Sequence, residues 1–441
     1  MSAMEHVLQE IARANRAGEG VGIYSCCSAN EYVLRAALKK SREHHTPVLI
    51  ESTANQVDQF GGYVGMTPER FYGYVLSLAD ELGVERDQVI LGGDHLGPLT
   101  FAGRPEAEAM PLARELVRQY VLAGFTKIHI DTSMKVADDD PAVRLPDEVI
   151  ARRGADLCAA AEEAFAQRKS QVRDATAPVY VVGSEVPIPG GAQEAEEGVA
   201  VTEPADLEHT LNAFREAFLS RGLEDAWSRV VAVVVQPGVE FGSADVFDYD
   251  REKAAKITRA IRRYDRLVLE GHSTDYQTRY GLRKMVEDGV AILKVGPALT
   301  FAVREGLFAL ENIERERLSG GGLPLSNFRQ VLEEAMLRDD RHWKKHYHGT
   351  AVQQKYDRAF SLSDRARYYL TDGEVQAAVR RLMENLRKNP APYSLLSQYL
   401  PRQAVRVRTA ALENEPAALL EDHVGDVIED YLFATLKRKG G

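Results

Sequence analysis

The sequence predicts an α/β protein, a (β/α)8 barrel followed by a helical extension, and three observations predict it. Eight short runs rich in Val and Ile recur along the chain, and a segment of helical period follows each. The runs are mostly continuous in apolar residues, as in parallel strands buried on both faces. They stop abruptly at a polar, ionisable or glycine residue, most clearly at Gly93-Asp94-His95. Eight alternations of strand and helix describe a closed parallel sheet. An open doubly wound sheet would carry a glycine fingerprint after its first strand, and Tyr24-Ser25-Cys26-Cys27 is not one.

Taken in order, residues 1–17 set Glu5, Glu10 and Arg13 among apolar residues, which reads as an amphipathic helix and not as a signal peptide. Strands are expected over 20–25, 47–51, 89–95, 126–131, 178–185, 230–236, 266–272 and 290–295. Among the helices between them are 31–42, 107–124 and 207–221, the last two ending at or near glycine. A barrel takes roughly 250 residues, and this chain has 441. The pattern changes near Ser319, where Gly320-Gly321-Gly322 reads as a hinge. The expected division is a barrel over 1–318 and a helical extension packed on it over 319–441. His346-Tyr347-His348, before Gly349, is expected to be a surface turn and not a metal pair.

The net charge of −11 and the lack of a basic run argue against a nucleic acid partner. Cys26, Cys27 and Cys158 form no CxxC spacing, which suits a reducing cytoplasm. No apolar run reaches the ~20 residues that span a bilayer, so no membrane role is expected.

Barrel enzymes hold their active sites at the strand ends. Alternate strand residues share a face, so His129 pairs with Asp131, Gly183 with Glu185, and Glu270 with His272. If these faces point to the axis, Asp131, Glu185, Glu270 and His272 converge near His95. His95, Glu185 and His272, with Glu240 after the sixth strand, are then candidate ligands for Zn²⁺, Mn²⁺, Co²⁺ or Ni²⁺. Asp94, Glu270 and Asp131 are the candidate catalytic carboxylates. His129 is expected to fill a layer of the barrel, and Asp131 serves equally as a cap for Thr132 and Ser133. The loop from Asn55 to Tyr63 offers Gln56, Asp58 and Gln59 to sugar hydroxyls. Pro187-Ile188-Pro189-Gly190-Gly191 reads as a shaped lid.

These motifs resemble the GatZ/KbaZ family of tagatose-bisphosphate aldolase subunits. The similar stretches are 22–30, 47–63, 91–98, 124–133, 183–192, 235–241, 270–277 and 293–300. They add Asn30, Gln236 and Ser273 as candidate substrate-binding residues. The resemblance implies a barrel of the class II aldolase type. It implies either a non-catalytic partner that supports a separate class II aldolase subunit or a ketohexose 4-epimerase acting between fructose and tagatose or their phosphates. A homo-oligomer is expected. Asp94-His95 is similar to the Asp-His pair of the catalytic aldolases, in which Asp moves the proton and His binds zinc. Their later zinc histidines fall here at Glu240 or Phe241 and at Glu270, with His272 two residues on. Their phosphate loop is replaced by His272-Ser273-Thr274-Asp275, and their strand-eight Asn by Gly296. No Gly-Lys-Ser/Thr phosphate loop supports a kinase.

The chemistry narrows the epimerase route. C4 of a 2-ketose is not adjacent to the carbonyl, so enolisation cannot invert it. Without a fingerprint for NAD, the expectation is breakage and re-formation of the C3–C4 bond. A divalent ion would polarise the C2 carbonyl, and Asp94 or Glu270 would take the C4 hydroxyl proton.

Overall fold

The computed structural model describes residues 5–184 and 199–437. Its strands are β1 (Ile23–Cys27), β2 (Val48–Thr53), β3 (Val89–Leu96), β4 (Lys127–Ile130), β5 (Val179–Val182), β6 (Val230–Val235), β7 (Glu240–Phe241), β8 (Val246–Phe247), β9 (Val268–Gly271) and β10 (Val290–Val295). Eight of them close into a parallel barrel in the order β1-β10-β9-β6-β5-β4-β3-β2, with helices between them. This is the (β/α)8 fold the sequence predicts. The hairpin β7-β8 is an addition, too short for any periodicity to reveal.

β1 begins three residues later than expected. A side chain at Gly22 would bring its Cβ to 2.5 Å from the Ala291 carbonyl oxygen. The Gly22 amide instead donates to the Thr435 carbonyl of the last helix at 2.9 Å. The stretch before β1 is thus a docking point for the C-terminal helix, not part of the sheet.

The barrel interior is stacked in tiers. At the bottom, Ile23, Leu49, Ile90, Val268 and Ile292 meet Leu8 and Ala12 of the first helix (Val7–Arg16), which plugs the barrel. His6 caps that helix: its Nδ1 accepts from the Leu8 amide at 3.0 Å, and its Nε2 lies 3.1 Å from Thr126 Oγ1. Burial pushes the His6 imidazole down to about 4. The unfolded chain therefore binds a proton that the folded chain refuses between pH 6.5 and about 4. Stability from this group is complete above pH 6.5 and is lost as pH falls to about 4, by roughly 3 kcal/mol at ~1.4 kcal/mol per unit. His6→Asn keeps a capping side chain without the titration. Its urea midpoint should fall less steeply than the wild type's between pH 6.5 and 4. Parallel curves for the two proteins would exclude His6 as a source of acid sensitivity.

The next tier replaces apolar residues by charge. Gly92 of β3 lies between Glu51 of β2 and Lys127 of β4 in register. A Cβ at Gly92 would stand 2.8 Å from Glu51 Cγ. That side chain cannot swing away, because Lys127 and Lys294 both hold its carboxylate. Gly92→Ala should cost about 1–3 kcal/mol by overpacking, read as a fall in the urea midpoint. An unchanged midpoint would mean that Glu51 is free to move.

Beyond Leu318 the chain is helical, with helices Phe328–Arg338, Ala351–Phe360, Gly373–Lys388, Tyr393–Tyr399, Pro401–Arg408 and Pro416–Thr435. The last packs on β1 and on the helices Glu31–His44, Arg279–Asp288 and Pro297–Leu318. Tyr431 donates from its hydroxyl to the Thr274 carbonyl at 2.8 Å, close to the end of β9. A buried pair, Arg304 to Asp364 at 2.8 Å, ties the region to the last barrel helix. The expected surface turn at His346-Tyr347-His348 has a buried centre: the Tyr347 hydroxyl accepts from the Arg365 amide at 3.1 Å. Neither histidine belongs to a cluster able to hold a metal among the described residues. None of the described helices is long and apolar enough to cross a membrane.

Candidate active site

Alternation along the strands carries four charged side chains into the middle of the barrel. Glu51 (β2), Lys127 (β4), Glu270 (β9) and Lys294 (β10) are all buried. Unpaired, any of them would be prohibitively costly there. They are paired with one another. Lys127 Nζ lies 2.5 Å from Glu51 Oε1 and 2.8 Å from Glu270 Oε2. Lys294 Nζ lies 2.7 Å from Glu51 Oε2 and 3.8 Å from Glu270 Oε1, and it also contacts Asp94. Burial opposes the charge on Lys294, but Asp94, Cys27, Glu51 and Glu270 hold its ammonium well above the ordinary lysine value. Burial likewise opposes the charge on Glu270, and Lys127, Lys294 and His272 overcome it, leaving the carboxyl well below its usual range.

Above this tier, three imidazoles face one another. The His95 and His129 ring centroids are 4.9 Å apart, and His272 lies 5.1 Å from each. His129 is on β4, and His272 follows β9 on the face of Glu270. His95 reaches the axis by a different route. β3 slips register between Gly93 and Leu96, and His95 takes a left-handed φ of 50°. That conformation is uncommon outside glycine and lets consecutive residues, Asp94 and His95, both reach the centre.

Each ring keeps one nitrogen against a carboxylate. His95 Nδ1 is 2.7 Å from Asp131 Oδ2, His129 Nδ1 is 2.8 Å from Asp94 Oδ1, and His272 Nε2 is 3.0 Å from Glu270 Oε1. The His95 amide also approaches His129 Nδ1, at 3.1 Å. Asp131 meanwhile accepts from Ser133 with its other oxygen, at 3.1 Å from the amide and 2.6 Å from the hydroxyl, so it both caps its turn and braces His95. Burial keeps His272 neutral down to about 3 and lowers His129 as well. Burial also disfavours a charged His95, but Asp94 and Asp131 outweigh it and raise that imidazole above its ordinary value.

A histidine with one nitrogen on a carboxylate and the other free is the arrangement of a braced metal ligand. Here it occurs three times within one cluster. His129 Nε2 is buried with no hydrogen-bond partner, a state that calls for an occupant. Asp94, His95 and His129 bring ligand atoms within 4.8 Å of one another, as do His129, Glu270 and His272. The donors thus fit a divalent cation in two overlapping groups that share His129, one reaching it through His95 and the other through His272. Glu270 is already engaged by Lys127, and Asp94 by Lys294.

Asp94, His95, His272, Ser273 and Lys294 line one cavity at the strand ends. The end of β2 contributes Thr53 to it, the loop after β2 contributes Asn55, Gln56 and Tyr63, and the C-terminal helical region contributes Arg367 and Tyr368. Burial disfavours the Asp94 carboxylate, yet His95 and Lys294 hold it well below the ordinary range. The cavity therefore presents an ionised carboxylate beside an ammonium, a neutral His272 and a His95 whose proton affinity is raised, a set able to move a proton and bind a cation.

Other residues expected at the site are placed elsewhere. Glu270 and Asp131 stand behind the histidines and do not line the cavity. Asn30 is a helix cap, its Oδ1 accepting from the amides of Tyr32 and Val33 at 3.0 and 3.4 Å. Asp58 folds its own loop, accepting from the Phe60 and Gly62 amides at 2.7 and 2.9 Å. Gln59 donates to the Leu112 carbonyl at 3.0 Å, and Gln236 accepts from the amides of Gly238 and Val239. Short polar side chains in loops serve the adjacent backbone first, which is why composition alone overstated this set. Glu240 is buried on β7 with an oxygen 3.0 Å from the Phe241 amide, outside the candidate metal clusters. Glu185 and the lid motif at 187–191 lie outside the described residues.

Sequence reasoning passed over Glu51, Lys127, Lys294, Arg367 and Tyr368, and took His129 for a filler. A signal was present for three of them. Glu51, Lys127 and Lys294 are charges inside apolar runs of strands buried on both faces, where an unpaired charge is not tolerated. No local pattern marks Arg367 or Tyr368, whose position depends on the tail folding back.

A model of the D-tagatose-1,6-bisphosphate aldolase subunit GatZ/KbaZ-like family matches residues 8–436. A solved structure described as a probable tagatose 6 phosphate kinase from Sinorhizobium meliloti 1021 is 41% identical and superposes with a TM-score of 0.85, over 94% of this chain and 100% of its own. A putative fructose-1,6-biphosphate aldolase from Coccidioides immitis is 16% identical over 85% of this chain and 99% of its own, with a TM-score of 0.43. The YdjI aldolase from Escherichia coli K12 is 12% identical over 85% and 100%, with a TM-score of 0.41. The last two are too distant to bear on the site.

Proposed function

Given that this chain belongs to the D-tagatose-1,6-bisphosphate aldolase subunit GatZ/KbaZ-like family, we propose that it is a metal-dependent ketohexose 4-epimerase that interconverts fructose and tagatose, or their phosphates, by retro-aldol and aldol steps. The observation that carries the proposal is the trio of carboxylate-braced histidines beside an ionised Asp94, with His95 and His272 on the cavity wall and His129 buried behind them. A subunit serving only as a scaffold has no need of such a costly buried cluster.

His95, His129 and His272 would hold the divalent ion, which supplies Lewis acidity to the C2 carbonyl oxygen when bound. Asp94, kept ionised by His95 and Lys294, takes the C4 hydroxyl proton. The electron pair left on the C4 oxygen forms the aldehyde carbonyl, the C3–C4 bond breaks, its pair becomes the C2–C3 double bond of an enediolate, and the C2 carbonyl π pair moves onto the C2 oxygen. The aldehyde fragment turns over in the cavity. C3 then attacks its other face, and Asp94 returns the proton to the new C4 hydroxyl. Glu270 and Asp131 hold the His272 and His95 rings in place. Ser273, on the cavity wall, would bind a hydroxyl, as would Gln56, whose Oε1 also accepts from the Thr53 amide at 2.9 Å.

The test uses purified protein alone, incubated with fructose or fructose 6-phosphate and with Mn²⁺, Co²⁺, Ni²⁺ or Zn²⁺ in turn. Tagatose or its phosphate, formed with metal and abolished by EDTA, is the expected product. No product with any metal would transfer the weight to the second reading, a supporting partner of a class II aldolase subunit. That reading draws on the family description and on Leu337, Val352 and Tyr356, exposed apolar residues in the helical extension. It requires that an aldolase subunit co-elute with this chain and gain stability from it.

A further inference from the structure

The C-terminal helical region brings more positive charge to the cavity than the structure neutralises. Arg367 lines the cavity, and Arg365 is buried close to it. Among the described residues, neither guanidinium has a carboxylate within salt-bridge distance. Asp364 is adjacent in sequence but is turned to Arg304 at 2.8 Å and to the Thr300 hydroxyl at 2.6 Å. Arg367 donates to the carbonyls of Ser363 and Asp364 at 2.5 and 2.9 Å and to the Tyr368 hydroxyl at 3.1 Å. Arg365 reaches His346 Nδ1 at 3.3 Å, and its Nε is buried without a partner. All these acceptors are neutral.

Tyr368 records the imbalance. Burial would raise its phenol, but Arg367 and Arg365 overcome this and lower it below the ordinary tyrosine value. Its ring is fixed by His342, stacked at 4.6 Å, and by Tyr63, edge-on at 4.9 Å. Asp275, also on the cavity wall, is an inadequate counter-ion. It spends one oxygen on the Gly296 and Ala298 amides, at 3.0 and 2.8 Å, and burial pushes its carboxyl up to about 6. Partly or fully buried guanidiniums without an anion are left with their desolvation cost uncompensated. A ligand that brings the anion recovers that cost.

We propose that Arg367, with Arg365 behind it and Tyr368 beside it, forms an oxyanion subsite that takes the phosphate or carboxylate of a charged ketose. The subsite rests on the sugar reading above only for the identity of the ligand's other end. It replaces the phosphate loop whose position is occupied here by His272-Ser273-Thr274-Asp275. A planar guanidinium matches either oxyanion in a paired geometry that an ammonium cannot.

Calorimetric titration of the full-length protein with fructose, fructose 6-phosphate, D-fructuronate and inorganic phosphate tests this. At least one charged sugar should bind about 10- to 100-fold more tightly than fructose, the range for one charge-assisted contact. Arg367→Gln should remove that advantage while fructose affinity stays, and Arg367→Lys should restore part of it. Preference for the phosphate or for the uronate names the source of the oxyanion. Inorganic phosphate reads the subsite even if no sugar is turned over: binding lost in Arg367→Gln supports it, whatever the epimerase assay shows. Equal affinity for neutral and charged sugars, with no phosphate binding by the wild type, would overturn the subsite. If Arg367→Gln fails to fold by circular dichroism, Arg367→Lys decides, since an undiminished preference there would equally refute it.

Discussion

Lys294→Met is expected to destabilise the protein by about 3–5 kcal/mol at neutral pH, the largest stability effect of any single substitution considered. The ammonium touches Asp94 and Glu51 and lies 3.8 Å from Glu270. Removing it leaves three buried carboxylates, Glu51, Asp94 and Glu270, with Lys127 as the one remaining buried ammonium among them, and under-compensated buried charge costs more than the pair contributed. The pH dependence separates this cause from simple loss of packing. In the wild type, Asp94 and Glu270 are held well below the ordinary carboxylate range. Their contribution is therefore complete above that range and is lost only as pH falls through the depressed folded values. Without Lys294, Asp94 keeps His95 and His129 and Glu270 keeps Lys127 and His272, but each carboxyl loses one of the charges that offset burial and so rises from its depressed value. The variant then gains relative stability by taking up protons as pH falls through the carboxylate range. The deficit should be greatest near pH 7 and should narrow toward pH 4. Urea unfolding at both values measures it. A deficit equal at pH 7 and pH 4 would point to a packing defect instead. Glu51→Gln in the same chain should recover part of the loss, because contacting charges couple.

The fold was legible because it is written in repetition. Eight apolar runs in alternation with helices leave few topologies open, and all but the fifth stop within two residues of the strand's end. The site was half legible, for reasons that differ between residues. Asp94, His95 and His272 announce themselves as polar residues at strand ends. Parity placed Glu270 and Asp131 on the right faces, although parity alone cannot tell a wall from a brace. His95 breaks alternation through a left-handed residue, and no hydrophobic pattern encodes a slip of register. Lys294 and Glu51 were hidden because a lone charge in an apolar run reads as noise until its partner is known, and the partner is more than two hundred residues away in the chain. Arg367 and Tyr368 come from a region whose helical pattern says nothing of where it docks. Local rules thus describe the barrel, while the cavity depends on contacts between distant segments.

His129→Ala should empty the metal site and lower turnover by more than about 100-fold, and it discriminates between two accounts of one residue. As a filler of a barrel layer, His129 would matter only through volume, and His129→Leu would serve nearly as well. As a ligand, it matters through Nε2, which is buried without a hydrogen-bond partner. Bracing alone, by a carboxylate behind a ligand, is worth about 10- to 100-fold in metal affinity, so loss of the ligand itself should exceed that. Asp94 keeps Lys294 and His95 as partners when the ring is removed, so the buried carboxylate is not stranded and the fold should survive. Metal content by elemental analysis, read beside the thermal midpoint, separates the two effects. Ala and Leu variants that are folded and metal-free make His129 a ligand. A His129→Leu protein that retains its metal and its turnover returns the residue to the barrel wall and leaves His95 and His272 too few to hold the ion by themselves.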